Sequence, residues 1–159
     1  MATGYIFSVT VPSKQIEKDM IVIKPGTICS YIIGDLKPCI EADVLIDGKS
    51  VHIDRALFDT GSNITAINPR IAPAVSSTNG DKMVIHGTDR SGEAVTHYCS
   101  ICLGSGEIVL QNVPVQAFDL DIYDHTDIDL IIGMNVITLG ELSVKKKGFL
   151  PIFTFSIEK

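Results

Sequence analysis

The stretch Arg55-Ala56-Leu57-Phe58-Asp59-Thr60-Gly61-Ser62-Asn63-Ile64-Thr65-Ala66-Ile67 constrains the fold more than any other part of the chain. Alternation and β-branched residues predict a strand over 51–58, and an apolar strand leaves over 64–67. Between them an acid stands two residues before a glycine, where a strand should be least polar. Aspartate is a poor strand residue, and a carboxylate at the end of an apolar run is costly unless something receives it. Asp and Gly are ordinary turn formers, so D-T-G on its own reads first as a β-turn. The flanks alter that reading. Leu57-Phe58 before and Ile64-Thr65-Ala66 after predict a buried loop in a β protein rather than a hairpin tip.

The rest of the chain agrees with a β protein. Its 159 residues suffice for one domain with a single sizeable core. Thirteen glycines and seven prolines beside 45% hydrophobic residues suit a turn-rich globular chain and not a disordered one. A net charge of −6 argues against binding a phosphate backbone, so no nucleic-acid partner is expected. The basic run Lys145-Lys146-Lys147 precedes Gly148 and reads as a solvated turn. No apolar run reaches the roughly 18 residues of a membrane span, and residues 1–25 lack a signal-peptide pattern. The expected location is therefore cytoplasmic, with Cys29, Cys39, Cys99 and Cys102 as reduced thiols. Cys99-Ser100-Ile101-Cys102 spells C-x-x-C, but inside a strand positions three apart face opposite sides. Neither a metal site nor a cofactor is expected.

In order, two apolar runs at 5–11 and 20–23 lie in an N-terminal extension, residues 1–37, whose role the residues leave open between propeptide, dimer strand and partner-binding arm. Ile40, Ala42, Val44 and Ile46 alternate, Asp47-Gly48 turns the chain, and Val51-His52-Ile53 starts back, which predicts a hairpin. Residues 70–75 are expected as one short helical turn. Lys82–His86 and Ala94–Leu103 predict a second hairpin with a polar, glycine-bounded tip over 87–92. Residues 107–118 read as a strand interrupted near Asn112 and Pro114. Asp119, Asp121, Asp124, Asp127 and Asp129 lack the ordered offsets of a calcium loop and read as solvated loop acids. Met134–Leu139 is the one expected helix, and strands over 141–144 and 149–157 close the chain. Of the four histidines none stands with a G-x-S-x-G elbow, so serine-hydrolase chemistry is not indicated.

About seventy residues beyond Asp59 comes Asp129-Leu130-Ile131-Ile132-Gly133-Met134-Asn135, an apolar strand running into glycine. Ala56-Leu57-Phe58-Asp59-Thr60-Gly61-Ser62 with Leu130-Ile131-Ile132-Gly133-Met134-Asn135 resembles the retroviral-type aspartic proteases. The resemblance covers roughly residues 38–145. It implies an all-β fold, a small closed barrel with a flap hairpin and one short helix, one lobe per chain, over residues 38–159. It also implies aspartic endopeptidase activity, in which two carboxylates share a proton and activate water. One D-T-G supplies one aspartate, so a homodimer is expected, with Asp59 meeting its own copy on the two-fold axis.

By the same resemblance Asp59, Thr60 and Gly61 are catalytic, with Thr60 bonding across the axis and Gly61 leaving room for a peptide. Substrate-binding positions are Leu57, Ser62, Asn63, His86, Gly87, Thr88 and Ile131. Leu57 and Ile131 are expected as apolar pocket walls, and 86–92 as the flap over an extended polypeptide substrate. Ser62 is expected to donate its hydroxyl to the outer oxygen of Asp59. Asn63 and Met134 stand where retroviral members carry an acid and an arginine that pair, so both partners are replaced together. The alternative function is a non-catalytic dimeric module on the same fold that binds peptide or scaffolds an assembly.

Overall fold

The computed structural model describes residues 8–10, 19–32, 37–46, 48–71, 81–86, 91–117, 119–120 and 127–158, with 8–10, 81–86 and 91–95 described as backbone. Twelve strands and one short helix are formed by these residues. The first hairpin pairs β4 (Cys39–Ile46) with β5 (Lys49–Phe58) across Gly48, whose φ of 79° is a conformation that glycine adopts without a Cβ clash. Alternation makes β4 amphipathic, with Ala42, Val44 and Ile46 buried. Near Glu41 the register slips, because Ile40 faces Ala56 and Ala42 faces Ile53. That bulge re-phases β5, so that Ile53, Ala56 and Phe58 all reach the main core.

Six strands close a barrel: β8 (Ser91–Leu103), β4, β5, β10 (Leu130–Ile132), β6 (Thr65–Ile67) and β9 (Ile108–Ala117), with β9 returning to β8. β10 lies parallel to β5 and antiparallel to β6, and β6 lies parallel to β9. Closure removes edges that would otherwise invite pairing with other chains. The break foreseen near Asn112 is a bulge: Cys99 faces Val113 while Ile101 faces Leu110, and Asn112 takes up the extra residue at φ 58°. Asparagine tolerates that left-handed conformation better than most side chains.

Three strands extend the barrel sheet. β7 (Asp81–His86) pairs with β8 as the second hairpin, β1 (Ser8–Thr10) pairs with β7, and β2 (Ile21–Lys24) pairs with β9. A separate sheet orders β11 (Glu141–Lys147), β12 (Leu150–Ile157) and β3 (Gly26–Tyr31). Ile21–Tyr31, within the expected extension, thus joins both sheets. Phe153 and Phe155 of β12 are fully buried against Phe58, with ring centroids 5.5 and 5.2 Å from it. Lys145–Lys147 do not form the turn expected of them. They end β11 as exposed strand residues, and Gly148-Phe149 makes the turn.

The helix α1 spans Met134–Ile137, where Gly133 opens it and Val136 and Ile137 bury. Residues 72–75 of the expected helical turn, and Asp121 and Asp124, lie outside the described residues. Asp127 and Asp129 are not free loop acids: Arg55 pairs with Asp127, and Arg70 with Asp129 at 3.0 Å. None of the four cysteines is joined in a disulfide. Among the described residues no helix is long and apolar enough to cross a membrane.

Candidate active site

The loop after β5 is held by the strand beside it. The Asp59 amide donates to the Ile132 carbonyl at 2.9 Å, which extends the parallel β5–β10 ladder to the acid itself. The Ser62 amide then donates to the Asp59 carbonyl at 3.1 Å and closes the turn, and the Met134 amide donates to the Ser62 carbonyl at 2.7 Å. D-T-G and I-I-G are therefore two halves of one backbone construction. Gly133 abuts the loop so tightly that a Cβ there would stand 1.9 Å from the Ile64 carbonyl oxygen. Only glycine fits.

At the centre of this construction the Gly61 amide donates to Asp59 Oδ1 at 2.8 Å, which orients the carboxyl and engages one oxygen. Asp59 is 6% exposed, and it lies between buried Phe58 and exposed Thr60. Burial pushes its carboxyl above the usual carboxylate range, and the Gly61 amide pulls in the opposite direction. A carboxyl so placed holds a proton more readily than a solvated one. That is the state a general acid needs.

Ser62 departs from expectation. Its hydroxyl donates to the Ile64 carbonyl at 2.7 Å and accepts from the Ile64 amide at 3.3 Å, rather than donating to Asp59. The side chain is fully buried, and its one proton satisfies the Ile64 carbonyl in the loop. Ile131, expected as a pocket wall, is fully buried too, and Leu57 nearly so. Both pack with Ile64, Ala66, Leu120 and Ile128 in a second apolar cluster on the opposite face of the strands from the barrel core. Ile131 therefore has no surface to offer a ligand in the single chain. Asn63 is exposed, and Met134 is half-buried against the main core, where an arginine would have been costly.

His86 ends β7 opposite Ser91, and Gly87 and Thr88 at the hairpin tip lie outside the described residues. Two supporting residues escaped the sequence reading. Thr65 Oγ1 accepts from the Gly133 amide at 3.3 Å and donates to Asn135 Oδ1 at 2.8 Å, so it ties the D-T-G side to the helix. Asn135 in turn donates to the Pro114 carbonyl at 3.5 Å. Their signal was present as two polar residues inside otherwise apolar runs. A cavity of about 650 Å³ opens elsewhere, between Tyr31, Lys37, Glu41, Arg55 and Glu107, and it does not include Asp59. The Asp59 loop outweighs it as a candidate because, among the described residues, only there is an acid buried and oriented by a backbone donor.

A family model described as aspartyl protease matches residues 42–136, more than half of the chain. Among solved structures the chain is similar to a crystal structure of a retropepsin-like aspartic protease from Rickettsia conorii. The two are 16% identical with a TM-score of 0.49, over 91% of this chain and 100% of that one. No curated protein matches.

Proposed function

The chain belongs to the aspartyl protease family, and from that premise we propose that it is an endopeptidase whose catalytic pair is assembled by two copies. The observation that carries the proposal is the carboxyl of Asp59, nearly buried, oriented by the Gly61 amide, and shifted towards its protonated form. Hydrolysis of a peptide by carboxylates needs two of them, and this chain has one D-T-G. Two-fold pairing supplies the second, because a residue on the axis meets its own copy.

Like charges about 3 Å apart cannot both ionise, so the pair retains one proton over a range of pH. The ionised member takes a proton from water as that water attacks the peptide carbonyl carbon. The protonated member donates to the carbonyl oxygen, and collapse of the tetrahedral intermediate delivers a proton to the leaving amine. Thr60, exposed beside the acid, bonds to the partner loop and keeps the two carboxyls coplanar. The substrate lies extended against the loop as an added strand, with Gly61 and Asn63 meeting its backbone. The β7–β8 hairpin closes over it as a flap, through His86, Gly87 and Thr88.

The test is a peptide library offered to the wild type and to Asp59→Asn across acidic to neutral pH. Loss of an acid–base group predicts a fall in turnover of about 10²–10⁴-fold with the far-UV spectrum unchanged. A wild type that binds peptides without cleaving any contradicts the enzymatic reading and leaves a binding module in its place, and an Asn variant that cleaves as fast removes Asp59 from the catalytic pair.

A further inference from the structure

The face of the sheet that carries Asp59 is already covered. Side chains alternate along a strand, so Leu57 and Asp59 share one face of β5 while Phe58 turns into the barrel core. Register then places Ile131 beside Leu57, and Ala66 beside Ile131, on that same face. Three apolar residues in a row next to an oriented acid would make the floor of a pocket for a substrate side chain. Here that floor is built over. Leu120 and Ile128 pack onto it together with Ile64, and Ala66, Ile131, Leu120 and Ile128 are wholly buried. Of the six, Leu57 and Ile64 alone keep some exposure, 6% each, and they stand on either side of the D-T-G turn. The cluster thus offers the acid's surroundings a rim without depth.

Ile128 is fastened where it lies. It stands between Asp127, which Arg55 of β5 holds, and Asp129, which Arg70 holds at 3.0 Å. The Asp129 carbonyl also accepts from the Asn68 amide at 2.9 Å, which carries the β6–β10 ladder one residue further. Both chain neighbours of Ile128 are therefore tied down independently of its own packing.

We propose that Leu120 and Ile128 determine substrate specificity: by filling the space over Leu57 and Ile131 they limit the residues flanking the scissile bond to small side chains, Gly, Ala or Ser. This rests on the peptidase reading above and names the substrate class that it takes. Each of two paired chains supplies one such face, so both flanking positions are limited alike. An open apolar pocket would instead favour Leu or Phe, because burying a large side chain there is favourable. With the space occupied, a large side chain either stays in water or forces packed neighbours off their rotamers. A small one does neither.

The test is kcat/KM on peptides built on a sequence that the library shows to be cleaved, with each flanking residue varied in turn from Gly, Ala and Ser to Val, Leu and Phe. For the wild type, replacing Ala by Leu or Phe at either position is expected to lower kcat/KM about tenfold or more. Leu120→Ala and Ile128→Ala empty the space behind Leu57, and each is expected to raise the Leu-to-Ala ratio about tenfold. Ile128→Val removes a single methylene, keeps the fold, and moves the ratio about twofold or more in the same direction. Val44→Ala, a truncation in the barrel core, is the control for general loosening and leaves the ratio at its wild-type value. Circular dichroism and thermal melting verify that each variant folds; if the two alanine variants do not, Ile128→Val and the wild-type profile decide. A wild type that cleaves fastest beside Leu or Phe overturns the assignment and leaves the peptidase reading intact. So does a ratio that the Leu120 and Ile128 changes leave alone, or that Val44→Ala moves as far. A wild type that cleaves no peptide overturns both.

Discussion

Asp59 and Ser62 lie within one tight turn, yet their side chains are engaged in different ways. The acid is held close to the surface by a single amide, while the hydroxyl is spent inside the loop on Ile64. Ser62→Ala removes a buried donor and leaves the Ile64 carbonyl short of a partner, a cost of about 1–2 kcal/mol. Thermal unfolding is expected to fall accordingly while the acid limb of the pH–rate profile stays where it is; a moved limb would mean that the hydroxyl serves Asp59 in the working state. For Asp59 the sign runs the other way. Its carboxyl is raised in the folded chain, so folding is favoured while the group is protonated, and that contribution is lost as pH rises through the folded value. Asp59→Asn, which carries no charge at any pH, should therefore melt a few degrees higher than the wild type at neutral pH. The gap should close below the ordinary carboxylate range, at about pH 3.

At the scale of elements, the parallel β5–β10 pair brings Asp59 and Gly133 together from sequence positions more than seventy residues apart. Gly133→Ala forces a Cβ into the Ile64 backbone, where no side-chain rotation relieves it. Destabilisation of about 3 kcal/mol or more is expected in denaturant titration, the upper range for overpacking; a variant of wild-type stability would mean that the loop is looser than described. Both halves of this construction were legible in the sequence, because an acid between apolar runs and a glycine ending an apolar strand each break a pattern. What periodicity does not carry was harder to read. β2 leaves Ile21 and Ile23 exposed, so its strand has no alternation to reveal it. The lysines of β11 resembled a solvated turn because an edge strand and a turn are wetted alike. The Ser62 hydroxyl found Ile64 and not Asp59 because its nearest acceptor is set by the local turn, which residue identity does not specify. Ile131 belonged to the right strand, but Leu120 and Ile128 cover it, and contacts that distant in sequence leave no local trace.

For the whole molecule, the barrel and the three-stranded sheet supply the core, and the proposed function makes the single chain half of a catalytic centre. Stability and activity should therefore separate. Under the proposal above, hydrolysis requires association, whereas the core around Phe58, Phe153 and Phe155 lies within one chain. Dilution should extinguish turnover without unfolding the protein. The most direct test is the initial rate of peptide hydrolysis per chain, followed by dilution across the dimer dissociation constant. The account predicts that this specific activity is constant at high concentration and falls in proportion to the dimer fraction on dilution. A specific activity that stays constant down to concentrations at which sedimentation finds only single chains would contradict it.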